Sequence, residues 1–165
     1  MTMIDSLKIE FEHEAQTTRK HLERLTDDKL EWRPHEKSFT AGGLASHIVS
    51  LISLGDSVLT TSELDFDPAT FKPYQAKSVA DLLKTFDENV ASCKGALASA
   101  DDESMSQLWR FKIMGRLRFE KPRAVAFRDF SLNHLIHHRG QFSVYLRLLN
   151  VPVPGSYGPT ADEQA

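Results

Sequence analysis

The chain has 165 residues, enough for one domain with a buried core, and its 20 basic and 23 acidic side chains leave a formal charge of -3. That balance offers no broad attraction for nucleic acid. The single cysteine, Cys93, excludes an intrachain disulfide and a zinc ribbon and suits a reducing cytoplasm.

The opening "MTMIDSLKIEFEHE" has no basic leader followed by an apolar run, so it does not read as a secretion signal. Ile4, Leu7, Phe11, Ala15, Leu22 and Leu25 recur at helical steps and predict a first helix over residues 3 to 25. Glu14 lies at the edge of its apolar face, where it reads chiefly as a solvated carboxylate and secondarily as a base or as a group orienting a histidine. Pro34 breaks the pattern, and Ser38 or Thr40 is placed to cap a second helix reaching about Thr60. The second helix carries Leu44, His47, Leu51, Leu54 and Val58 on one stripe and Ser46, Ser50, Ser53 and Ser57 on the other. The uncharged stretch from Ser38 to Gly55 holds three glycines, several serines and a histidine, which makes it a poor membrane span.

Residues 61 to 77, with Pro68 and Pro73, read as a long crossing loop. Ser78, with Asp81 three residues on, marks the start of a third helix whose buried face is Val79, Leu82, Leu83, Phe86, Val90 and Leu97. Cys93 projects onto that face, where it reads as a small hydrophobe more than as a soft metal ligand. The segment "LWRFKIMGRLRF" alternates apolar and basic residues and predicts a hairpin turning near Met114 and Gly115. Its Arg110, Lys112, Arg116 and Arg118 form either a solvated face or one that meets an acidic substrate. A fourth helix is expected from about Pro122 to Asn150, with residues 151–165 a loop tail. No repeat or linker is visible, so the reading is a single all-α domain over 1–165, a four-helix bundle with a long central crossover and a short hairpin before the last helix.

The last helix contains "LNHLIHHRGQ". At about 100° per residue, His134 and His138 lie roughly 40° apart on the stripe shared with Phe127 and Tyr145, while His137 sits toward its border. His47 is also on an apolar stripe. One buried histidine is most often a hydrogen-bonded core residue, but three on inward stripes would leave ring nitrogens unsatisfied at about 1–3 kcal/mol each. A divalent cation satisfies three lone pairs at once, and three nitrogen donors suit zinc or nickel with a position left for water or substrate. Gln141, three residues after His138, is equally readable as a group that bonds a ligand or substrate and as helix packing. Arg139 projects away from the core and is assigned structural ion pairing rather than chemistry, and His13, His21 and His35 look incidental.

"WRP" with "LASHIV" around His47, "HLIHHRGQ" through His134 and His138, and the ending "VPVPGSYGPTADE" together resemble the DinB/YfiT-like family over nearly the whole chain. The resemblance implies a four-helix bundle in which His47, His134 and His138 hold zinc or nickel, with no assigned role for His137. It further implies a metal-dependent enzyme acting on a small molecule, as a hydrolase or as a transferase using a low-molecular-weight thiol, and a homodimer. The alternative is a non-catalytic metal-binding or stress-response protein. No serine nucleophile elbow, phosphate-binding glycine loop or carboxylate cluster for a di-iron centre is present in the sequence.

Overall fold

A computed structural model of the protein describes residues 1–164. Four helical segments pack around a shared apolar core: α1 (Met3–Leu22), α2 (Ala41–Thr60), α3 (Val79–Ser99) and a last helical run that begins at Arg123 and ends at Leu148. The helices α1 and α2 each lie against both α3 and the last run. By length and composition α2 could cross a membrane, yet most of it is packed inside the protein.

The helix starts follow from local chemistry. The Thr40 hydroxyl accepts from the Gly43 N–H at 3.0 Å, and the carbonyls of Trp32 and Leu30 take the Ala41 and Gly42 N–H groups, so the first turn of α2 keeps few unpaired donors. Ser78 caps α3 through the Asp81 N–H at 3.1 Å. The first helix stops at Leu22 rather than Leu25, and a short 3-10 turn at Asp27–Lys29 follows.

The all-α expectation needs correction. A three-stranded mixed sheet in the order β1-β2-β3 sits beside the helices: β1 (Glu63–Phe66), β2 (Leu108–Ile113) and β3 (Arg116–Pro122). The hairpin of β2 and β3 turns at Met114 and Gly115, both with positive φ (50° and 74°), the geometry whose twist suits a two-residue connection. β1 pairs in parallel with β2, Glu63 opposite Arg110, within the stretch expected to be loop. Four residues in a polar segment carry too little alternation to reveal a strand whose partner lies far along the chain. A five-residue helix, α4 (Asp102–Ser106), also precedes the hairpin.

The last helical run has three phases: α5 (Arg123–Phe127), a π-helical turn (Arg128–Leu132) and α6 (Asn133–Leu148). The wider i→i+5 turn delays the helical phase, so positions before and after it do not share one stripe. Phe127 is therefore fully buried while His134 and His138 are half-buried, and the core face of α6 is Leu135, Arg139, Phe142 and Leu146.

The π-turn is where α2 comes closest. A Cβ at Gly55 would lie 2.4 Å from Ser131 Oγ and 3.0 Å from the Phe127 ring, and Ser131 donates to the Leu51 carbonyl at 2.9 Å. Gly55→Ala should therefore destabilise the protein by about 1–3 kcal/mol in urea unfolding. Gly95→Ala, on α3 with open space around it, should instead gain about 0.5–1 kcal/mol.

Candidate metal centre

The helix α2 projects His47 toward α6, where His134 and His138 stand one turn apart. The ring centroid of His47 lies 5.2 Å from that of His134 and 4.6 Å from that of His138, and the latter two are 4.8 Å apart. One nitrogen from each ring falls within 4.8 Å of the others, so the cluster could hold a metal ion. The three rings are half-buried, at the rim of the core rather than inside it. Phe39, itself mostly exposed, stacks on His47 at 5.9 Å and covers one side.

The electrostatics favour neutral rings. Burial, then the neighbouring His138 and His134, lowers the His47 pKa to about 4. His134 is lowered by burial and by His138, with the Phe130 carbonyl acting the other way. His138 is lowered by burial, partly offset by Gln141. Neutral imidazole is the form that ligates a cation, so the cluster is ready to coordinate without first losing protons at neutral pH.

Gln141 and His137 set the tautomer of His138. Gln141 Oε1 can only accept, so His138 Nδ1 carries the proton it donates at 2.8 Å, leaving Nε2 as a lone pair. The Gln141 amide then donates to His137 Nε2 at 3.2 Å. Gln141 and His137 are both exposed, so Gln141 acts on the cluster from its outer side and does not line the core.

Several sequence expectations require correction. Arg139 is buried, at 2 % exposure, and pairs at 2.6 Å with Glu14, which is buried too rather than solvated. Tyr157 closes this network, accepting from Arg139 and donating to Glu14, both at 2.9 Å. Glu14 is thereby committed to the tail and α6 and is not among the clustered ligand groups. His21, expected to be incidental, is buried and donates from Nδ1 to the Thr17 carbonyl at 2.8 Å. Cys93 is fully buried as expected, its thiol pushed up to about 12 by burial and by Asp56, and it is not part of the histidine cluster. On the hairpin, Arg110 pairs with Glu120 and Lys112 with Glu63.

Arg123 was not singled out in the sequence. Its Nη1 donates to the carbonyls of Val58, Leu59 and Thr61 at 2.5, 2.8 and 2.7 Å, closing the C-terminus of α2 with a cation from the start of the last helical run. Its partners lie more than sixty residues earlier in the chain, so nothing local marked this one.

A cleft of about 610 Å³ opens from His47 along α2, within the usual range for small-molecule sites. Ser50, Ser53 and Ser57 form its floor, the serine side that periodicity placed away from the core. Its far wall is Phe66, Phe71, Phe111 and Phe130, supplied by β1, the loop after it, β2 and the π-turn. Ser46 is buried because that loop folds over it, and its Oγ accepts the Ala76 N–H at 2.9 Å.

The model of the DinB family matches residues 3–165. The chain belongs to the DinB family. It is 28 % identical over 167 residues to the uncharacterized protein YrdA of Bacillus subtilis (strain 168), across 98 % of this chain and 92 % of that protein. Among solved structures it resembles a DinB-like protein from Bacillus cereus ATCC 10987, with 26 % identity and a TM-score of 0.68 over 88 % of this chain and 91 % of that one. The DinB-like protein YjoA from Bacillus subtilis has a TM-score of 0.72 at 18 % identity, over 97 % and 99 % of the two chains, a likeness of fold.

Two expectations follow for this DinB-family protein. In metal-stripped protein, unfolded histidine titrates near 6.5 while folded His47 titrates at about 4, so the unfolded chain takes up protons first as pH falls. Stability in urea should decline between those values, and decline less in His47→Gln. Arg139→Ala, which strands the buried Glu14 carboxylate, should cost about 3–5 kcal/mol in the same measurement.

Proposed function

We propose that this protein is a metal-dependent enzyme acting on a small molecule, with His47, His134 and His138 as the ligands of one divalent cation. The observation that carries the reading is a cluster of three neutral imidazoles, one of which, His47, also lines a cleft of ligand size. Three nitrogen donors without a thiolate or carboxylate among them fit zinc or nickel, and they leave part of the coordination shell for another group. When bound, such a cation supplies a Lewis acid that eases ionisation of a water or a thiol at neutral pH.

The chain's own residues do the positioning. Gln141 holds the His138 ring with Nε2 free, the kind of outer hydrogen bond that fixes a ligand's orientation and raises its basicity. Phe39 shields the exposed side of His47, and the phenylalanine wall of the cleft keeps the approach to the rings dry. Glu14 is held by Arg139 and Tyr157, so that carboxylate has a structural part and is not the proton acceptor. Hydrolysis and transfer to a low-molecular-weight thiol use the same arrangement and differ in which nucleophile enters the cleft.

Elemental analysis tests the ligand set. Wild type should retain close to one divalent ion per chain, and His47→Ala, His134→Ala and His138→Ala should each lose it; equal metal in all four refutes the assignment. Gln141→Ala should keep the fold and weaken metal binding by about 10–100-fold. Metal-loaded protein should then turn over members of ester, amide or thiol-conjugation panels, with turnover lost in His138→Ala. Tight metal retention with no turnover on any panel would favour a binding protein.

A further inference from the structure

The cleft beside the histidines has a chemistry of its own, set by which of its polar groups are already engaged. The Tyr74 hydroxyl is bonded to Asp81 at 3.2 Å, the Asn89 amide donates to the Val49 carbonyl at 3.1 Å, and the Ser50 hydroxyl donates to the Ser46 carbonyl at 3.0 Å. Ser53 and Ser57, one turn apart on α2, make no side-chain hydrogen bond among the described residues, and Lys72 forms no ion pair among them. Lys72 is also the one formally charged residue of the lining, which contains no carboxylate. The free groups thus include the Ser53 and Ser57 hydroxyls, the Thr85 hydroxyl and an ammonium, facing an aromatic wall in which Phe66 and Phe71 meet at 4.9 Å and Phe111 and Phe130 at 5.1 Å.

We propose that this cleft binds a small molecule with an apolar, aryl-sized body and an anionic group, the body against the four phenylalanines and the anion toward Lys72 and the α2 hydroxyls. A cationic ligand would meet Lys72 with no acid to offset it, and a fully polar one would have to displace water from an apolar wall without replacing its hydrogen bonds. His47 lines one end of the same cleft, and ten residues of α2 separate it from Ser57, a rise of about 15 Å. A ligand seated along α2 therefore reaches the His47 ring at one end. This names the substrate class of the proposed enzyme and rests on that reading, but the binding step needs no metal.

The test uses two dyes with the same aromatic skeleton, anionic 8-anilinonaphthalene-1-sulfonate and neutral N-phenyl-1-naphthylamine, titrated into folded full-length protein with and without zinc. One anionic dye should bind per chain in both forms. Lys72→Glu should weaken it by about three- to tenfold while leaving the neutral dye within about twofold, the size expected of one partly solvated charge. Ser53→Trp, at an exposed position of the floor, should fill the cleft and abolish binding of both dyes with the melting temperature and zinc affinity retained; Ser57→Phe provides a second filled cleft. Absence of saturable one-to-one binding, or filled variants that bind like wild type, would overturn the site. An equal effect of Lys72→Glu on both dyes would overturn the anionic preference. Because metal retention is read separately, a chain that binds the dye but retains no zinc refutes the metal reading alone, and one that retains zinc but binds no dye refutes the cleft alone.

Discussion

The contact between α2 and the π-turn of the last helix is the constraint on which the site depends. Gly55 has no side chain, so α2 can approach Ser131 and Phe127 more closely than any Cβ would permit, and the Ser131 hydroxyl ties the two backbones through the Leu51 carbonyl. His47 is two turns before Gly55, and His134 is three residues after Ser131. Their separation is set by that crossing, since packed helices transmit position along rigid backbones. The π-turn contributes in a second way, by shifting α6 in phase so that His134 and His138 leave the core face and stand at its rim.

Around this contact the structure fixes the last helical run at its start and near its middle. Arg123 closes the C-terminus of α2 by donating to the carbonyls of Val58, Leu59 and the cap residue Thr61, and Arg139 anchors α6 to α1 through Glu14 and to the tail through Tyr157. The two buried guanidinium groups have different partners and different consequences. Arg123 satisfies carbonyls that a helix end otherwise leaves open. Arg139 needs a carboxylate because a buried charge without one is expensive, and Glu14 has no comparable partner elsewhere. Near these anchors the histidines occupy a half-buried rim where burial favours their neutral form, and His47 also lines the cleft.

The small sheet explains why the site has a cleft at all. β1 joins β2 in parallel, and the loop from Asp67 to Lys77 is drawn over the serine side of α2, where Ser46 receives the Ala76 N–H. A helix side that would otherwise face water becomes the floor of a cavity, with phenylalanines from the sheet and the loop opposite. The hairpin's Arg110 and Lys112 are paired with Glu120 and Glu63, and none of its basic residues lines the cleft, where the charged residue is Lys72 on the covering loop.

The amino-acid order alone determined whatever depends on near neighbours. The i, i+4 spacing of His134 and His138, the caps at Thr40 and Ser78, and the turn at Met114 and Gly115 follow from backbone geometry within a few residues. His47 was legible as well, because its apolar stripe extends over several turns. Tertiary structure decided what depends on distant partners: the strand status of Glu63–Phe66, the burial of Glu14 with Arg139 across 125 residues, and the serine floor of the cleft. The π-turn belongs to the same class, since its extra residue per turn broke the constant angular step by which Phe127 and His134 had been placed on one stripe. Periodicity reports which way a side chain points from its own helix, whereas burial is set by what another part of the chain brings to that side.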